Sequence, residues 1–277
     1  HRRQRQMCIR DSIPGVGKTT LAHALARILG LSYQRIQFTS DLLPADITGV
    51  SVYDREQSTF RFHPGPIFSN LVLADEVNRA TPKTQSALLE AMEEGQVTAD
   101  GETFRLPQPF FVVATQNPTY QIGTFPLPES QLDRFLMRIQ LGYPGPAMER
   151  ELLKGDDRRA LLAQSQAAVS AELILQMQHK VTSVFASEAL LDYLQSIIRH
   201  TREHTDYESG LSPRAAISLL RAAQAWALLH QRDAVLPEDI QAVLPAVVGH
   251  RLRPRQEAAG RDPDQLGRDL LEAVPIP

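Results

Sequence analysis

Cysteine occurs once in the 277 residues, at Cys8, so no disulfide can form within the chain and cysteine usage points to no redox compartment. Long apolar runs are missing too: none approaches the length needed to span a bilayer, and no direct membrane insertion is expected. The basic opening "HRRQRQ" is not followed by the apolar core of a signal peptide, which leaves a cytoplasmic location as the default expectation. Nor is there an excess of one charge. Lys and Arg number 29 against 32 Asp and Glu, a net of −3, which argues against a wholesale basic surface for nucleic acid, though not against a local patch. There is no internal repeat and no long low-complexity tract. What is present is the apolar and charged content of an ordinary globular protein, in a chain long enough for two domains.

The first half alternates strand and helix signals. From Lys18 to Leu29, the residues Leu21, Leu25, Ile28 and Leu29 recur at helical spacing before Gly30. "YQRIQF" reads as a short strand, "NLVLADE" and "FFVVATQN" as compact buried strands, and "FLMRIQL" as a third. "TPKTQSALLEAMEEG" carries its own helix punctuation, with Thr81 as N-cap, Pro82 at the first helical position and Gly95 as terminator. Asp100-Gly101 between two β-prone triplets signals a hairpin. The stretch from Asp41 to Pro66 is too rich in Pro, Gly, Asp and Ser to be one regular element. Such alternation implies a mainly parallel α/β sheet flanked by helices. After "YPGPAMER" strand signals stop and amphipathic helices take over, so residues 13–145 are expected to form the α/β core and residues 146–277 an all-helical lid domain.

"IPGVGKTTLAHALA" matches the end of the phosphate-loop pattern G-x-x-x-x-G-K-[ST], with Ser12 where the first glycine belongs. Backbone N–H groups of a turn entering a helix point at an anion and add the helix dipole. Lys18 would reach the β and γ phosphates, and the Thr19 hydroxyl would ligate Mg²⁺. "LVLADE" delivers Asp75 and Glu76 at the C-terminal end of an apolar strand, the edge where open α/β sheets bind ligands. Asp75 would hold Mg²⁺ through water, and Glu76 could polarise an attacking water. Cradle, metal and nucleophile-orienting group are the parts phosphoryl transfer needs. Asn117, at the end of "FFVVATQN", could hold that water or sense the γ-phosphate; taken alone it equally suits a turn opening on Pro118. Arg134 and Arg214 are candidate charge-stabilisers, with surface salt bridging as the alternative.

Together with "DLLPADITGV", "FHPGPIFSNLVLADEVNRATPKTQSALLEAMEE", "GTFPLPESQLDRFL" and "LSPRAA", these stretches resemble the MoxR-type branch of the AAA+ ATPases, from Ile13 to about Arg253. The resemblance implies a Walker A nucleotide loop of Pro14, Gly15, Val16, Gly17, Lys18, Thr19 and Thr20, and a Walker B pair of Asp75 and Glu76. It makes Asn117 similar to sensor 1, Arg134 to an arginine finger reaching the neighbouring subunit's nucleotide, and Arg214 to sensor 2 of the helical lid. It further implies ATP and Mg²⁺ as cofactors, a homo-oligomeric ring of six, and chaperone-like maturation or activation of a client or adaptor, often beside proteins with a von Willebrand factor A domain. The irregular segment from Asp41 to Pro66 resembles an insert facing partners or the pore.

The front end departs from that pattern. The strand feeding a phosphate loop should be apolar on both faces, yet Arg5, Gln6, Arg10, Asp11 and Ser12 make this one polar. Residues 1–12 are therefore expected to be foreign to the protein, which would leave the sheet short of a central strand. Two other motifs compete. "HTREH" (His200 to His204) fits H-x-x-E-H, a zinc-peptidase pattern, but has no evident third ligand. "RLRPR" (Arg251 to Arg255) could contact nucleic acid; without interleaved aromatics it reads as a solvated charge run. Within AAA+ machinery the alternatives are a magnesium-chelatase ATPase subunit, a nucleic-acid-remodelling motor, and a nucleotide switch that scarcely hydrolyses ATP, the last disfavoured by Glu76 and Arg134.

Overall fold

The computed structural model describes residues 6–9, 17–117, 123–154, 162, 164–204, 207–253, 255 and 263–276. They fall into two compact units. One runs to Leu127 and resumes over Ile139–Leu175; the other comprises Pro128–Arg138 and the chain from Gln176 onward. This division differs from the single boundary expected at Pro144 to Pro146, because Pro128–Arg138 belongs with the helices that follow it much later in sequence.

The first unit is built on the strands β1 (Gln6–Ile9), β2 (Tyr33–Gln37), β5 (Leu71–Asp75) and β8 (Phe111–Thr115) of a sheet ordered β2-β5-β8-β1-β9; of β9 (Met137–Ile139) only Ile139 belongs to this unit. Neighbours β2 and β5, β5 and β8, and β8 and β1 all pair in parallel. The central position of β5 and β8 follows from composition: Leu71 to Ala74 and Val112 to Ala114 are fully buried, as runs covered on both faces must be. At the edge, β2 buries only Ile36 and turns Gln34, Arg35 and Gln37 to solvent, which discourages further strand addition. The segment Gln6–Ile9, whose Met7, Cys8 and Ile9 are apolar, does form a strand against β8, so the sheet has the central strand that was not expected; the polar residues Arg5, Arg10, Asp11 and Ser12 lie outside it.

Helix α1 (Lys18–Ile28) packs on this sheet through Ala22 and Ala26, against Leu71, Leu73 and Val113. Alanine lets the helix axis come close, so Leu21 and Ile28 are left substantially exposed rather than buried on the inner face. The irregular segment holds the short helix α2 (Pro44–Thr48) and a hairpin of β3 (Gly49–Asp54) and β4 (Thr59–Pro64). At the root of that hairpin Gly49 has φ +100°, and an added Cβ would lie 2.3 Å from the His63 carbonyl oxygen. A second hairpin joins β6 (Gln96–Ala99) to β7 (Glu102–Arg105) through Asp100 and Gly101, both at positive φ, as the Asp-Gly turn demands. Phe62 and Phe104 stack, centroids 4.0 Å apart, and tie the hairpins together. Helix α3 (Pro82–Glu94) begins and ends as its sequence dictates: the Thr81 side chain accepts from the Thr84 N–H and Gly95 closes it at φ 67°.

In the second unit, helices Glu188–Glu203, Pro213–Leu229, Pro237–Val248 and Pro263–Ala273 pack around Tyr193, Ile197, Leu219, Ile240, Leu244 and Leu270. Ser187 and Ser212 cap the first two, and Pro237 opens the third. Among the described residues no helix is long and apolar enough to cross a membrane. Removing the first cap of the α/β unit, with Thr81→Ala, is expected to lower unfolding free energy by about 1 kcal/mol in urea titrations monitored by circular dichroism, with no change in m-value.

Candidate active site

Parallel pairing puts the C-terminal ends of β2, β5, β8 and β1 on one edge. Ile9 is level with Thr115, Ala74 with Ala114 and Gln37 with Asp75. Asp75 and Glu76 therefore leave the sheet at the edge from which β1 runs toward Gly17 and α1. Pro14, Gly15 and Val16 lie outside the described residues. Gly17 sits at φ 90°, ψ 22°, left-handed backbone that favours glycine, and is the N-cap residue of α1. Its carbonyl accepts the Leu21 N–H at 2.9 Å. Lys18, Thr19 and Thr20 form the first turn, whose backbone N–H groups have no partner within a helix.

Asp75 is a carboxylate at the end of a strand with no exposed residue before it, and both of its oxygens are engaged. Thr115 Oγ1 donates to Oδ1 at 2.5 Å; the Arg35 guanidinium donates to Oδ2 from Nη2 at 2.6 Å and from Nε at 3.1 Å. Thr115 Oγ1 also accepts the Glu76 N–H at 2.8 Å, so one hydroxyl fixes both the first carboxylate and the backbone of the second. Glu76 itself has φ 58°, ψ 45°, a left-handed conformation that is costly for a residue with a Cβ. That turn swings its side chain out of the strand alternation, where Gln37 Nε2 donates to Oε2 at 3.0 Å and Arg79 Nη1 at 2.9 Å. The Arg79–Glu76 pair is too exposed to stabilise the fold much; its effect is to aim a carboxylate.

Asn117 is held through its backbone. Buried Asn78 accepts the Asn117 N–H at Oδ1 and donates from Nδ2 to the Asn117 carbonyl, both at 2.9 Å. Gln85, also buried, donates to the carbonyls of Ala80 and Phe125, both at 3.0 Å, and so braces the turn that follows Glu76. Arg134 and Arg214 belong to the helical unit: Arg134 follows the short helix Glu129–Leu132, and Arg214 is the second residue of helix Pro213–Leu229.

Sequence reasoning named Asp75, Glu76 and Asn117 but missed Arg35, Gln37, Asn78, Arg79 and Thr115. Thr115 had a signal: a hydroxyl ending an apolar strand, two residues before Asn117 and so on the same pleat face. Arg35 and Gln37 had one as well, since both alternate outward on an edge strand. In the run from Arg251 to Arg255, Arg253 and Arg255 are exposed as expected of a solvated charge run, but Arg251 departs from it, buried in an ion pair with Asp133. His200 and His204 stack at 4.8 Å between centroids, and among the described residues no cluster of three potential metal ligands occurs.

The donor set suits a hard cation and a polyphosphate. Such a pair of ligands would draw oxygen from Thr19 and Asp75, a charge from Lys18 and the N–H groups of the first turn of α1. Each carboxylate oxygen accepts along two lone pairs, so the bonds from Thr115 and Arg35 do not exhaust Asp75. Thr115→Val, nearly isosteric, leaves the Glu76 N–H and Asp75 Oδ1 unpartnered; it is expected to cost about 1–3 kcal/mol in thermal unfolding, with Thr115→Ser restoring most of it.

Comparison with known proteins places this arrangement in context. Residues 7–137 match the family described as ATPase family associated with various cellular activities (AAA), and residues 199–270 match the AAA lid domain. YeaC of Bacillus subtilis is 46% identical over 269 residues, covering 96% of this chain and 84% of its own. Chaperone MoxR1 of Mycobacterium tuberculosis is 39% identical over 279 residues, covering 96% and 73%. The crystal structure of a candidate ATPase from Cytophaga hutchinsonii superposes with a TM-score of 0.89 at 40% identity, covering 99% of this chain and 86% of that one. A chloroplast magnesium-chelatase subunit ChlI from Chlamydomonas reinhardtii is more distant, 25% identical over 262 residues.

Proposed function

This chain belongs to the MoxR family of AAA+ ATPases, and from that premise we propose that it hydrolyses ATP to ADP and phosphate with Mg²⁺ and uses the turnover for chaperone-like maturation or activation of partner proteins. The observation that carries the reading is the pair of carboxylates on one sheet edge, one strand position apart and differently held. Asp75 stays in line with its strand and is fixed by Thr115 and Arg35; Glu76 is turned out of line and aimed by Gln37 and Arg79. Two acids in two environments suit two roles, a metal-holding ligand and a water-orienting base.

In this reading the N–H groups at the start of α1 and the Lys18 ammonium bind the phosphates, while Pro14, Gly15, Val16 and Gly17 shape the loop before them and Thr20 continues the turn. Thr19 directly and Asp75 through water would hold Mg²⁺, which would supply positive charge to offset that of the phosphates. Glu76 orients the attacking water and takes its proton. Asn117 steadies that water from the neighbouring strand. Arg134 stabilises transition-state charge on a neighbouring subunit's nucleotide, and Arg214 does so from the helical lid. A trans-acting arginine calls for a ring, for which six copies is our reading. The client or adaptor is a protein with a von Willebrand factor A domain, and the setting is the cytoplasm. The greater distance of the chelatase subunit and its name favour the chaperone-like reading over metal insertion.

Lys18→Ala is expected to abolish binding of a fluorescent ATP analogue. Glu76→Gln should bind the analogue with unchanged affinity and release no phosphate; normal phosphate release would remove Glu76 from its role. Arg134→Ala should lower kcat by ~10³-fold, and mixing it with Lys18→Ala subunits should restore part of the activity if the arginine acts between subunits.

A further inference from the structure

Within the helical unit one carboxylate joins the two candidate charge-stabilising arginines. Asp133 immediately precedes Arg134. Its Oδ2 accepts from Ser212 Oγ at 2.9 Å, and Ser212 is the N-cap of the helix whose second residue is Arg214. Ser212 Oγ meanwhile accepts the Ala215 N–H at 3.0 Å, so one hydroxyl serves cap and carboxylate together. The other oxygen, Oδ1, accepts from Arg251 Nε at 2.8 Å.

Arg251 is the anchor of this arrangement. Its side chain is only 3% exposed, and its guanidinium is spread over the backbone around Arg134. It donates to the carbonyls of Asp133 at 3.2 Å, Phe135 at 2.5 Å and Leu136 at 3.0 Å, and to that of Val247. His250 Nε2 lies 3.0 Å from the same Phe135 carbonyl. Only a planar fork of five donors can hold so many acceptors at once; a lysine ammonium has three donors and no such span. Burial pushes the Arg251 pKa below its usual value, against the opposing effect of Asp133. A desolvated cation is tolerated only where its partners are fixed, so the backbone of Asp133, Phe135 and Leu136 has little freedom.

We infer that Asp133, held by Arg251 and Ser212, is a positioning residue that locks Arg134 and the Arg214 helix into one geometry, so that the two arginines engage nucleotide as a unit. The inference rests on the proposed ATP hydrolysis and adds to it a dependence between two residues that would otherwise act separately. Loss of the Asp133 charge frees the Ser212 cap and the Arg251 fork together, and both arginines lose register while the phosphate loop is untouched.

The test is a double-mutant cycle on the full-length protein, reading kcat, ATP analogue affinity and melting temperature. Asp133→Asn is expected to lower kcat about tenfold or more, with analogue affinity within about twofold, and to cost less than about half that factor when placed on Arg134→Ala, where only the Arg214 arm remains to be lost. A residue needed only for stability would lower activity to the same extent in both backgrounds. Normal kcat in folded Asp133→Asn, or full additivity with Arg134→Ala, overturns the inference while leaving ATP hydrolysis intact. Normal kcat in Arg134→Ala itself would instead defeat the reading on which the inference stands. If Asp133→Asn does not fold, Ser212→Ala removes the arm that leads to Arg214: a kcat loss of about threefold, absent on Arg214→Ala, supports the clamp, and unchanged or additive kcat overturns it.

Discussion

A carboxylate at the end of a strand buried on both faces is the constraint on which the candidate site depends. Leu71 to Ala74 have no exposure at all, so Asp75 is carried to the sheet edge by a rod that cannot shift without opening the core. At that edge Thr115 answers one oxygen and Arg35 the other. Thr115 can do so only because β8 lies beside β5 in parallel register, and the same hydroxyl captures the Glu76 N–H. Sheet topology and site geometry are thus one fact: moving β8 by a single residue would put a neighbouring side chain where Thr115 stands and release both acids.

Electrostatic balance follows the same economy. Two acids face two guanidiniums, Arg35 from the edge strand and Arg79 from the turn after β5, with Gln37 between them. The cations are half exposed and the acids less so, which keeps the acids oriented and accessible without burying charge. In the helical unit the balance is struck differently. Arg251 and Asp133 are sequestered, and the pairing is made tenable by backbone carbonyls that complete the arginine's valence.

Much of this was legible in the chain of letters, and what was hidden shares a cause. Helix α3 could be read to the residue, because Thr81, Pro82 and Gly95 each act on their immediate neighbours. The apolar runs of β5 and β8 announced central strands for the same local reason. Asp75 and Glu76 were visible because they terminate such a run. Arg251 was misread because its partner lies 118 residues away, and no local pattern distinguishes a buried arginine from a solvated one. Gln6–Ile9 was misread in the opposite direction: the polar neighbours Arg5, Arg10, Asp11 and Ser12 masked the short apolar run Met7-Cys8-Ile9 that pairs with β8. The placement of Pro128–Arg138 with the helices follows from the same distant ion pair. Local chemistry writes itself into sequence, whereas long-range charge pairing does not.

The left-handed backbone of Glu76 carries one more implication. A residue with a Cβ gives up roughly 1–3 kcal/mol to sit there, and glycine would not. Selection for heat resistance alone would therefore be drawn to this position and would favour deleting the very carboxylate that Gln37 and Arg79 aim. The protein keeps a fault line at its reactive edge, and an engineer seeking a hardier variant should leave it unrepaired and look for gains elsewhere in the chain.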